Sequence, residues 1–175
     1  MDRLASLRLR VGLAIAVAVA VGALLSWQHL HDGVPAHSFL ARKDMPSFSN
    51  WWGLLTLPAL TWFAVGNIQS RLADHRVSTR SAAFGFFGAL LFGLVLAVAF
   101  ELGFNAIPSA QIRLVPLIAL LLPIYRAESL LGFILALSYT FGGVLPLIIG
   151  TVLATGGAVL YLVPRWALRR FRMKR

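Results

Sequence analysis

The chain has no cysteine. Disulfides, thiolate metal sites and cysteine nucleophiles are therefore excluded. Charge is also scarce: 13% of its 175 residues are Asp, Glu, Lys or Arg, where a soluble protein carries about 25%. Acids are scarcest of all, six against sixteen Lys and Arg. The sequence holds no phosphate-binding glycine loop, no GxSxG, no HExxH and no pair of histidines spaced within a span for haem. No internal repeat, disordered tract or soluble domain stands out.

What is present is apolar: 59% of residues are hydrophobic, far more than a soluble domain of this size can bury. The net charge of +10 comes from basic residues that punctuate apolar runs and cluster at the C-terminus. That pattern suits helix ends resting on anionic headgroups of an inner leaflet, and it argues against nucleic acid as a partner. The expected fold is all-α, a single integral membrane domain of six helices. The spans fall at about residues 11–27, 51–68, 81–104, 107–125, 127–142 and 144–163, with a long loop over 28–50. The first span alternates Ala and Val like a strand, but an open strand in hydrocarbon leaves its backbone unpaired, so helix is expected. Its basic start and short apolar run also suit a signal peptide, although the run is long for one and Val21-Gly22-Ala23 is a weak cleavage site. The fourth span is short between Arg113 and Arg126 and needs Pro108 in its first turn to reach across.

Counting Lys and Arg by side, thirteen fall with the termini and three, Arg42, Lys43 and Arg113, fall opposite. The positive-inside rule then places both termini in the cytoplasm, with a bacterial inner membrane as the expected location. Small residues recur every four positions in three spans: Gly85, Ala89, Gly93 and Ala97; Ala14, Ala18, Gly22 and Ser26; and Gly150, Ala154 and Ala158. Helices in lipid associate through such rows, either within the chain or with a second copy or a partner membrane protein.

Polar groups gather at two places on the outer side. The stretch WQHLHDGVPAHS contains His29, His31, Asp32 and His37, ligand types suited to a divalent transition metal such as zinc. In an extended segment His29 and His31 would point the same way, and Gly33 and Pro35 would let His37 turn back. The same imidazoles could serve as a proton relay or remain solvated. Glu101 is the next step on the Gly85–Ala97 row, and Arg113 is its expected partner across the hairpin of spans three and four. Gln111, Asn105 and Ser109 lie at similar depth, and Asn50 closes the long loop. A shared outer cavity joining these groups is the sharpest expectation. On the inner side Arg126 and Glu128 flank the start of span five, where helix-end electrostatics account for the acid; Arg76 or Arg80 is its expected gating partner.

Three functions fit. One is a small transporter or channel-like protein for an ion, metal or small solute, working through the outer His/carboxylate cavity. Another is a membrane-embedded hydrolase or lipid-modifying enzyme, with the three histidines holding a metal and Asp32 or Glu101 as ligand or general base. The last is a non-catalytic subunit or scaffold. Nearly all the chain is span, which favours the transporter.

Overall fold

A computed structural model describes residues 3–31, 36–38, 47–104 and 106–172. It is helical, with six helices: α1 (Arg3–His31), α2 (Gly53–Ala73), α3 (Thr79–Glu101), α4 (Ala106–Leu121), α5 (Ala127–Phe141) and α6 (Val144–Arg172). The long loop contributes a small antiparallel ribbon of β1 (Ala36–Ser38) and β2 (Ser47–Ser49), pairing Ala36 with Ser49 and His37 with Phe48.

The spans expected from hydropathy are all helices, but their ends move. Helix α1 continues four residues past Trp27, to His31, and α6 continues nine past Val163, through Pro164 to Arg172. Hydropathy marks where hydrocarbon ends; a helix continues through polar residues that have good propensity. Helix α2 runs to Ala73 rather than Ile68, which draws Arg71 into its last turn. Helix α4 stops at Leu121, four residues short of the expected end, because Pro123 disfavours helical backbone at the residue before it. Pro58, Pro116 and Pro164 lie inside helices without ending them.

Caps explain two of the starts. Ser49 Oγ accepts from the Trp51 amide ahead of a single 3-10 turn, Asn50–Trp52, that leads into α2. Ser78 Oγ accepts from the Ser81 amide at the start of α3, at 3.2 Å. Between α5 and α6 the chain reverses at Gly142, whose φ of 71° lies in the left-handed region. The Asn50 amide occupies the space a β-carbon at Gly142 would need.

Helix α5 lies at the centre, packed on α2, α3 and α6; α1 lies on α2, and α4 bridges α6 and α3. The buried core combines Leu57 of α2, Ala97 of α3 and Phe133, Ile134 and Leu137 of α5. The closest helix pair is α3 with α5. A β-carbon at Gly93 would approach that of Ala136 to 2.8 Å, and one at Gly132 would strike the Phe86 carbonyl oxygen. The Gly85–Ala97 row is therefore a packing surface within the chain, used by α5. On α6, Gly150 likewise packs against Leu130 and Ile134 of α5.

The outward faces are apolar. Phe63, Phe84, Ile112 and Val152 are each about two-thirds exposed or more. Among the described residues three helical stretches are long and apolar enough to cross a membrane: Leu4–His31, Thr79–Glu101 and Val144–Arg170. Helices α4 and α5 are apolar but shorter, about 24 and 22 Å at 1.5 Å per residue.

Candidate functional site: a cavity between α3, α4, α5 and α6

The polar groups expected to converge at the loop end of the bundle do not do so among the described residues. His29 and His31 occupy the last turn of α1, not an extended segment. Two positions apart on a helix, their side chains diverge by about 200°. His31 is exposed and donates from Nδ1 to the Trp27 carbonyl oxygen at 2.9 Å, with the two rings 4.4 Å apart. His29 instead meets Trp51, at 6.3 Å between ring centroids. Asp32, Asn105 and the side chain of His37 lie outside the described residues. Among the described residues no group of three or more His, Asp or Glu is placed to hold a metal ion.

Glu101 and Arg113 likewise stay apart. Glu101 is exposed at the end of α3, where the row of small residues has run past the end of α5. Arg113 donates from Nε to the Ser109 carbonyl of its own helix at 3.0 Å. No ion pair joins them; the ion pairs among the described residues are Arg71–Glu128 and Arg76–Asp74. Gln111 does cross the hairpin, donating from Nε2 to the Phe92 carbonyl at 3.0 Å and tying α4 to α3. Asn50 is buried against the Gly142–Gly143 turn, beside Gln28 and Ser138 in a cavity of about 20 Å³. That space holds about one water molecule.

The enclosed charge sits at the opposite end, where α1 begins and α6 ends. Glu128, in the first turn of α5, is 2% exposed. Arg71 grips it with both guanidinium nitrogens, Nη1 to Oε2 at 2.8 Å and Nη2 to Oε1 at 3.3 Å. This two-pronged geometry is the strong form of an Arg–carboxylate contact. The expected partners Arg76 and Arg80 are elsewhere: Arg76 pairs with Asp74 on the surface at 3.3 Å, and Arg80 is exposed. Arg71 reaches Glu128 because it continues the stripe of Leu57, Thr61 and Ala64, the face of α2 turned to α5, two turns beyond Ala64 at a spacing of seven. That periodicity was visible in the sequence once α2 was allowed to run past Ile68.

A second lock joins α1 to α2 at this end. Arg10 donates from Nε to Gln69 Oε1 at 2.8 Å, and Gln69 Nε2 donates to the Ser6 carbonyl at 3.0 Å. The Arg10 guanidinium also stands 5.9 Å from the Trp62 ring centre.

Beside Glu128 a cavity of about 400 Å³ opens between α3, α4, α5 and α6. Its walls are mostly apolar: Phe84, Gly88, Ala89 and Phe92 from α3, Val115 and Ile118 from α4, Phe133 from α5, and Leu153 and Ala154 from α6. The polar lining consists of Ser81, Arg126, Glu128 and Ser129, drawn from the starts of α3 and α5. The irregular connection between α4 and α5 completes it through Leu122, Pro123 and Ile124. Arg126 precedes α5 and is half-buried in extended backbone (φ −73°, ψ 150°). Its guanidinium has no hydrogen bond or ion pair with another described residue. Of the four polar liners, the sequence had singled out Arg126 and Glu128, but as helix-end chemistry rather than as the edge of a cavity.

The site is a space of ligand size, apolar along its length and polar at one end. No protein-family model, no curated protein and no solved structure matches the chain.

Proposed function

We propose that the chain is an integral membrane protein of six spans that binds a small, largely apolar solute in the α3–α6 cavity, as a transporter does. The membrane assignment draws on the three long apolar helices, the apolar outer faces and the thirteen-to-three division of basic residues. Both termini then face the cytoplasm. Exposed Trp27, Trp51 and Trp52 sit at one interface and exposed Trp166 at the other, as aromatic belts do. From Arg10 to Trp27 the rise of α1 is about 26 Å, close to the thickness of hydrocarbon.

The cavity carries the functional reading. Irregular backbone is tolerated at membrane depth where it lines a cavity, and transporters build solute sites from such interrupted helices. Here α4 and α5 are both short, and the connection between them forms a wall of the site. This moves the cargo site from the outer histidine loop to the half of the bundle near the termini. The row of small residues on α3, a candidate docking face for a partner subunit, is taken up by α5.

Gly88 gives the test. It lines the cavity, and a β-carbon there meets nothing within 4 Å, so Gly88→Phe fills the space without backbone conflict. In nanodiscs of zwitterionic lipid, a radiolabelled single-chain alkyl probe should bind saturably, one per chain. Gly88→Phe should abolish that binding and keep the melting temperature. Uptake that never saturates, or that is equal in the variant, refutes the reading.

A further inference from the structure

Resting on the reading of the α3–α6 cavity as a solute site, we infer that its occupant is a single-chain amphiphile bearing one negative charge, a long-chain carboxylate, with its head against Arg126.

The charge follows from the pairing at the polar end. Two charged residues line it, Glu128 and Arg126, and Arg71 pairs with the first. Arg71 and Glu128 neutralise each other through two short contacts, and Glu128 is buried in doing so. Arg126 has no carboxylate partner among the described residues and faces the cavity. Among the lining residues, the cation left without a partner is Arg126, half-buried at the cavity's end, where a single anionic head is the complementary group. A cationic head would meet Arg126 and find Glu128 already engaged. Ser81 and Ser129 add hydroxyl groups to the polar lining, and the positive end of the α5 dipole has the same sign as Arg126.

The tail follows from the walls. Beyond the polar end, the lining from Ala89 and Phe92 to Leu153 and Ala154 is apolar, so no second polar group is provided for. The volume, about 400 Å³, is near the small end of the roughly 300–1,000 Å³ span of ligand sites. It suits one alkyl chain rather than the paired chains of a phospholipid.

The test is competition on the full chain in zwitterionic nanodiscs, with radiolabelled palmitate as the probe. Chain-matched sulfonate should displace it about tenfold or more better than the chain-matched alcohol or trimethylammonium compound, the margin expected of a hydrogen bond to a charged group. Arg126→Gln should remove that preference, and Arg126→Lys should keep most of it. Equal displacement by all head groups, with Gly88→Phe still blocking the probe, overturns the anionic assignment and leaves the cavity reading standing. Displacement by two-chain phosphatidylglycerol as strong as by palmitate overturns the single-chain assignment. Absence of saturable binding for every compound overturns both readings. The head-group series on the unaltered protein decides the matter even where Arg126→Gln does not fold.

Discussion

Removing Arg71 should destabilise the bundle far more than neutralising its partner. The Glu128 side chain is 3% exposed and that of Arg71 19%, so the two ends of the pair differ in access to solvent. Arg71→Met leaves a carboxylate enclosed beside Gly85 and Ser129 without its two-pronged partner. Breaking a buried pair in this way costs about 3–5 kcal/mol, and the partial exposure of Arg71 points to about 3 kcal/mol. Glu128→Gln preserves shape and an acceptor, and the freed guanidinium can turn toward headgroups; about 1 kcal/mol is expected. The double variant should cost about 2 kcal/mol, less than Arg71→Met alone, with a coupling of about 2 kcal/mol in the cycle. Reversible unfolding in mixed micelles with increasing dodecyl sulfate, followed by far-ultraviolet circular dichroism, measures all four proteins. An Arg71→Met cost no larger than that of Glu128→Gln, or strictly additive effects, would refute the claim that this contact is a buried ion pair joining α2 to α5.

Two further outcomes test packing and topology. Gly132→Ala places a β-carbon on the Phe86 carbonyl oxygen, where backbone must move, so a loss of about 2 kcal/mol is expected. Gly88→Ala, open on every side, should be neutral or gain up to about 1 kcal/mol in helix propensity; thermal melting in detergent compares them, and equal effects would count against the close α3–α5 approach. Because the chain has no cysteine, single cysteines report sidedness cleanly. In intact cells a membrane-impermeant maleimide should label Ser38→Cys and spare Arg76→Cys and Lys174→Cys, and labelling of Lys174→Cys would rule out six spans with both ends inside.

Helices were far more legible in the sequence than the site. Hydropathy located six segments, because a long apolar run in this composition has one stable backbone form. It misplaced their ends where helix outlasts hydrocarbon, as at His29–His31 and Arg165–Arg172. The small-residue row of α3 was readable from its four-residue period, but a period identifies a face and not the neighbour covering it. The histidine loop drew attention through residue type alone. Once α1 is helical through His31, the spacing that made His29 and His31 a pair sends them apart. Glu101 looked enclosed because it extends the packed row. The row outlives its partner helix by the length that α5 lacks, so the acid emerges on the surface. Glu128 was identified with its helix-end role, yet its partner was sought in the loop, since ending α2 at Ile68 left Arg71 outside any helical stripe.

Glycine on α3 serves two separate physical purposes, and the difference bears on function. Gly85 and Gly93 are small because something occupies the space: the Glu128 side chain stands 3.0 Å from where a β-carbon on the first would be, and Ala136 and Phe133 crowd the second. Their loss of helix propensity is offset by close approach to α5. Gly88 has no such return. Nothing lies within 4 Å of its missing β-carbon, so a glycine there costs about 1 kcal/mol relative to alanine without gaining a contact. Gly12, Gly103 and Gly156 have equally open surroundings, but among these Gly88 is the one in the cavity wall. At Gly88 the missing side chain leaves free volume in the wall of the cavity that Arg126 also lines. The open flank of α3 and the unpaired Arg126 thus border the same space, so filling the one and neutralising the other are independent probes of a single site.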